Sequence, residues 1–254
     1  MIGSAAKLFA RWYSIPLLLL VWQAVVGSGL VESRLLPSPT QVGSVLLTEF
    51  ANGELVYHAA VTVGRALAGF ALAVVVGIPF AAAMARSALV RNLFEPIFFL
   101  GYPVPKIALY PVFTYVFGIG AAPKIAFIFL ECLYPIVVTC LLGFGAIQTR
   151  LVWTAQNFGA NRAAILRRVI LPAALPSVFA AFRIALPVAI VVAVLTEMIG
   201  DSIGLGYYIT IWSTRFSFSN VYAAIVTIGV CGFVLDQILL LVRRRVVYWQ
   251  REVS

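Results

Sequence analysis

The sequence predicts an all-α fold, a polytopic membrane helical bundle of about six transmembrane helices. Three observations lead there. Of 254 residues, 63% are hydrophobic and only 11% charged, with a mean hydropathy of +1.04, which leaves too little polar surface to cover a water-soluble globule. Apolar runs recur at residues 13–31, 61–85, 94–117, 125–145, 178–199 and 221–242, each near the roughly 20 residues a helix needs to cross a bilayer. None shows the short alternating segments of an outer-membrane barrel.

The first run opens on Trp12 and Tyr13, aromatics suited to a membrane interface, behind Lys7 and Arg11. That start, with Gly27-Ser28-Gly29, also fits a cleaved signal peptide, although the cleavage site is weak. The second run holds Gly64, Gly69 and Gly77, small residues that let helices approach closely. Pro103, Pro105 and Pro111 break the third, marking either a hinge beside a pathway or a static bend. The fourth carries Glu131 and the fifth Glu197, while Asp236 lies in the sixth, and intramembrane carboxylates are functional suspects by default. Arg183, near the start of the fifth, is expected to snorkel or pair. Tyr248 and Trp249 close the sixth as interfacial aromatics.

The net charge of +9 invites comparison with nucleic-acid binders, but the basic residues cluster in alternate loops. Lys7 and Arg11, Arg86 and Arg91, Arg150 to Arg168, and Arg243 to Arg251 mark four regions as cytoplasmic by the positive-inside rule. The intervening segments 32–57 and 200–220 are poor in Lys and Arg. Both termini are therefore expected on the cytoplasmic side, with the lipid bilayer rather than nucleic acid as the surrounding partner.

Catalysis by this chain is not expected. No Gly precedes a Lys, so the phosphate-binding P-loop is absent, as are a Gly-x-Ser-x-Gly elbow and a His-Glu-x-x-His pair. Cys132, Cys140 and Cys231 lack metal-ligand spacing and read as packing residues. No metal site is expected. The single histidine, His58, is expected at an interfacial helix end.

The loop at about 148–176 carries the most information. Leu151, Val152, Ala155 and Phe158 recur at helical spacing, and Gly159 can end that helix in the left-handed conformation. Asn161 is then placed to cap a second helix from Arg162 to Leu171, interrupted by Pro172. A basic helix–turn–helix of this kind suits either a soluble protein partner or anionic headgroups, and spacing alone does not choose.

Gly159, the run Val169-Ile170-Leu171-Pro172 and the following Ala-Ala-Leu-Pro resemble the EAA loop of ABC-importer permeases. Leu36-Pro37-Ser38-Pro39, Gly64-Arg65-Ala66-Leu67-Ala68-Gly69-Phe70, Pro103-Val104-Pro105-Lys106-Ile107-Ala108-Leu109 with Phe117-Gly118-Ile119-Gly120, and Glu197-Met198-Ile199-Gly200 with Gly204-Leu205-Gly206-Tyr207 resemble the nitrate/sulfonate/taurine branch, in order. One departure stands out: the family's Glu falls on Trp153 and its two alanines on Thr154 and Ala155, of which only the second matches.

The resemblance implies a single permease domain over 1–254 with a type I importer fold, in the bacterial cytoplasmic (inner) membrane. Its partners would be a second permease copy, two cytoplasmic ATPase subunits that bind ATP and Mg, and an extracytoplasmic substrate-binding protein. Trp153, Thr154, Ala155, Phe158, Gly159, Ala160, Arg162, Arg167, Leu171 and Pro172 would form the ATPase-coupling loop. Pro103, Pro105, Glu131 and Glu197 would line the pathway or its gate. A small anion such as nitrate, a sulfonate or taurine is the expected cargo; a heterocyclic vitamin precursor or an aromatic acid is the alternative. An ion-coupled secondary transporter would need mid-membrane coupling carboxylates, for which Glu131 is the one candidate.

Overall fold

The computed structural model describes residues 13–32, 34–101 and 104–249, so that Lys7, Arg11, Trp12, Pro103 and Arg251 lie outside the described residues. Helix α1 (Ser14–Gly27) is followed by α2 (Pro39–Ala51), α3 (Glu54–Arg86) and α4 (Ala88–Gly101). A 3₁₀ turn (Lys106–Leu109) leads into α5 (Tyr110–Phe117), and then come α6 (Ala121–Gly145) and α7 (Thr149–Asn157). Helix α8 (Arg162–Ile165) passes through a π-helical turn (Leu166–Ile170) into α9 (Leu171–Met198), after which α10 (Leu205–Thr214) and α11 (Phe218–Val246) complete the order. The described residues contain no strand.

Among the described residues, four helical stretches are long and apolar enough to cross a membrane: Glu54–Arg86, Ala121–Gly145, Arg162–Met198 and Phe218–Val246. The two other predicted spans are shorter. Helix α1 has 14 residues, about 21 Å at 1.5 Å per residue. The run 94–117 is divided between α4 and the segment Lys106–Phe117. Pro105 precedes the 3₁₀ turn, whereas Pro111 sits in the first turn of α5, where a missing N–H costs nothing and the ring presets the helical φ. Pro111 therefore starts a helix rather than breaking one. Segments 32–57 and 200–220, expected as loops, contain α2 and α10; α2 starts from a capping box in which Ser38 and Gln41 satisfy each other's backbone N–H.

Helices α3, α6 and α9 form the core. Ala66, Ala73 and Ala81 of α3 are fully buried with Phe127, Ile128 and Ile136 of α6 and Ala181, Ala185 and Ala189 of α9. Small side chains set how closely these helices approach. A Cβ at Gly69 would come within 2.6 Å of Ile128 Cβ, and one at Gly77 within 2.8 Å of Ile136 Cγ2, distances that no real side chain tolerates. Gly64, expected to act likewise, faces open space. Cys132 and Cys140 are buried in this core as thiols. Pro79, Pro135, Pro176 and Pro187 lie within helices, as membrane bundles permit where neighbouring helices cover the freed backbone groups.

Candidate functional site

Two polar regions stand at opposite ends of α3, and between Arg65 and Arg86 the helix rises roughly 30 Å at 1.5 Å per residue, the thickness of a hydrocarbon core. At the far end, charged groups drawn from three core helices meet in the interior. Arg65 Nη1 of α3 donates to Glu197 Oε1 at the end of α9 (2.9 Å), to Asp201 Oδ2 in the next turn (2.7 Å) and to the Ile203 carbonyl (3.2 Å). Lys124 Nζ, in the first turn of α6, pairs with the same Asp201 oxygen at 3.1 Å and donates to the Gly120 carbonyl at 2.8 Å. The four side chains are between 0 and 9% exposed, and two cations balance two carboxylates.

Neutral groups complete this knot. The Thr62 hydroxyl donates to Glu197 Oε2 (2.7 Å) and accepts the Leu205 N–H (2.8 Å), and Glu197 Oε2 also accepts the Gly206 N–H (3.1 Å). His58 Nδ1 accepts the Gly204 N–H at 2.9 Å. His58 lies near the start of α3, as expected, and is buried there, because the turn before α10 folds over it and supplies a donor that fixes its proton on Nε2. The turn needs glycine. Gly204 has φ +110°, and a Cβ there would overlap the Glu197 carboxylate. Around Asp201, burial pushes the carboxyl upward, but the Ser202 amide and the Lys124 and Arg65 cations hold it below its ordinary value. All four carboxylate oxygens of Glu197 and Asp201 have partners, so the knot fastens the turn and α10 to α3 and α6.

At the near end, local sequence chemistry builds a hairpin. Helix α7 ends at Gly159, φ +77°, where the Ala160 N–H reaches the Ala155 carbonyl (3.0 Å) and the Gly159 N–H the Gln156 carbonyl (2.8 Å). That pair of bonds is a Schellman turn, which demands a left-handed residue at Gly159. Asn161 Oδ1 then accepts the Ala164 N–H at 2.9 Å and starts α8. Pro172 does not stop the second helix as expected. The π turn Leu166–Ile170 widens the backbone just before it, Pro172 falls in the first turn of α9, and the helical path runs on from Arg162 to Met198, 37 residues in all. The hairpin's surface is unusual for its content: Trp153 is 60% and Phe158 88% exposed, with Arg162 and Arg167 exposed beside them. Leu171 and Arg162 also border a cavity beneath the hairpin.

Between these ends, Glu131 of α6 lies 3.6 Å from Lys106 Nζ, and the same ammonium stands 4.4 Å from the centre of the Tyr134 ring. Arg183 pairs with Asp236 at 3.3 Å, half-exposed. Thus of the residues expected at a pathway, Glu197 belongs to the knot, Glu131 pairs with Lys106, Pro105 precedes that lysine at the start of the 3₁₀ turn, and Pro103 is outside the described residues. Sequence reasoning missed the convergence of Thr62, Arg65, Lys124 and Asp201. An arginine inside an apolar span was the available signal. Among the described residues no group of three His, Cys, Asp or Glu is placed to hold a metal.

The chain is similar to known proteins. The family of binding-protein-dependent transport system inner membrane components matches residues 73–248. The taurine transport system permease protein TauC of Escherichia coli (strain K12) is 35% identical over 246 residues, covering 95% of this chain and 90% of that protein. The putative aliphatic sulfonates transport permease protein SsuC of Bacillus subtilis (strain 168) is 28% identical over 231 residues, covering 91% of this chain and 83% of that protein. Among solved structures, a chain of the inward-facing MetNI methionine ABC transporter aligns with a TM-score of 0.61 at 19% identity, covering 74% of this chain and 96% of that chain, a likeness of fold.

Proposed function

The chain belongs to the family of binding-protein-dependent transport system inner membrane components, and on that footing we propose that it moves a small sulfonate-like anion inward as one of two copies driven by cytoplasmic ATPase subunits. As an ABC-importer permease of the taurine/sulfonate type it is a non-catalytic membrane component. One observation carries the coupling: a rigidly turned hairpin holds Trp153 and Phe158 out of its own core. Exposed aromatics flanked by arginines are the composition of a protein interface, and Trp153 offers burial where the family's Glu would offer charge.

Force on the hairpin has a direct route. The stretch Arg162–Met198 spans about 55 Å at 1.5 Å per residue, and its penultimate residue, Glu197, is tied to α3. Closure of an ATPase dimer around ATP and Mg would tilt the hairpin, and α9 would carry that tilt to the far end, where the binding protein delivers its cargo. The pathway would lie between two permease copies on a C2 axis. Both termini and the hairpin would face the cytoplasm, by the distribution of Lys and Arg. The pairing of Glu131 with Lys106 argues against an ion-coupled carrier, which needs a carboxylate free to load its ion.

The test is energetic. The purified chain should neither bind nor hydrolyse ATP, since it lacks a P-loop. Proteoliposomes holding the chain with its ATPase and binding protein should accumulate the binding protein's ligand, taurine being the first to try, only with ATP on the ATPase side. Accumulation by the chain alone under a proton or sodium gradient would overturn the proposal.

A further inference from the structure

Beneath the hairpin, a cavity of about 620 Å³ opens between the inner ends of α3 and α6 and the π turn, within the roughly 300–1,000 Å³ of small-molecule sites. Its floor is apolar, with Ile78 from α3 and Phe144 from α6, and Leu166 of the π turn forms a wall. Arg86, the last residue of α3, and Arg162, the first of α8, supply its charge, and among the described residues no carboxylate lines it. Arg91 adds a third positive group at the same helix end, donating to the Met84 and Ala85 carbonyls.

We propose that this cavity is a binding site for an anionic glycerophospholipid, with the headgroup phosphate between Arg86 and Arg162 and the start of an acyl chain against Ile78 and Phe144. Charge and depth both select this occupant. Ile78 lies two turns above Arg86 along α3, about 12 Å at 1.5 Å per residue, which is the step from headgroup level to the upper acyl region. A soluble anion would satisfy the arginines and leave the apolar floor empty. A zwitterionic lipid would fill the floor and bring a compensating cation to the rim. Basic pockets between helices at the cytoplasmic surface suit anionic headgroups, and one wall of this one is the joint between hairpin and α9, so occupancy would set the hairpin's angle.

The full chain, reconstituted in phosphatidylcholine vesicles doped with a phosphatidylglycerol carrying a photoreactive acyl chain, tests this by mass-spectrometric mapping of cross-links. The expected result is labelling concentrated at Ile78, Ala82 and Phe144, competed by unlabelled phosphatidylglycerol, and several-fold weaker in Arg86→Gln/Arg162→Gln. Ala82→Trp, which fills the cavity while keeping both arginines, should reduce labelling equally and guards against a misfolded double variant. Labelling spread evenly over the lipid-facing residues of α11, or unchanged in both variants, overturns the proposal. So does competition by inorganic phosphate alone, which would mark a small-anion site.

Discussion

The two ends of α3 solve opposite problems with the same kinds of residue. At the far end, Arg65, Lys124, Glu197 and Asp201 are all but sealed from solvent and satisfy one another. Toward the other end, Arg162, Arg167, Trp153 and Phe158 stand exposed on a hairpin whose backbone is tightly specified but whose side chains touch little. On the proposed function, the contrast separates a part that is finished within one chain from a part left for the ATPase to finish. A closed knot holds three helices together as one body, and an open hairpin at the other end of the same body is where force can enter.

The largest effect is expected at the knot. Arg65→Met leaves Glu197 buried without a cation and should cost on the order of 3–5 kcal/mol, read as a lowered thermal midpoint of the detergent-solubilised protein. Arg65→Met/Glu197→Met should recover much of that loss, because the uncompensated charge goes with it. If the single variant is as stable as the parent, the knot is not what holds the turn.

Next comes the hairpin. Gly159→Val places a β-branched residue at φ +77°, a strain of about 1–3 kcal/mol, although the space around Gly159 is open. Membrane abundance should be normal, with ATPase co-purification or transport lost. Full transport at normal abundance would remove the hairpin from the account and leave the knot untouched.

A smaller effect is expected from protons. Asp201 is held below its ordinary value, so its contribution is complete above the unfolded value of about 3.9 and is lost as pH falls through the lower folded one. Acid on the far side should loosen the 199–206 turn, which hydrogen exchange of the Gly204 and Leu205 amides would report, and Asp201→Asn should remove that pH dependence. The least effect belongs to Arg167→Ala, since a solvated pairing with a partner contributes at most about 1 kcal/mol; ATPase co-purification should fall only slightly, with stability unchanged.

The same contrast explains what the sequence could reveal. Gly159 and Asn161 act on atoms within five residues of themselves, so the hairpin's turn and cap are readable from spacing. The knot joins Arg65 to Glu197 across 132 positions, and nothing local to either residue announces the other. Pro172 misled for a related reason: a proline predicts a break unless the preceding turn widens, and the π turn is a response to packing that single-residue preference does not record. The third apolar run read as one span because hydropathy averages over the non-helical Val104 and Pro105. Helix α10 was hidden because ten residues sandwiched between two spans read as a loop until Gly204 and Gly206 are seen to dock them on Glu197.

The contrast between a finished end and an unfinished one rests most directly on the state of Phe158. A single cysteine at that position, in a background without Cys132, Cys140 and Cys231, should react with a membrane-impermeant maleimide in inside-out vesicles and become protected when the ATPase subunits are added. Reaction from the outside of intact cells, or labelling that the ATPase leaves unchanged, would contradict the account.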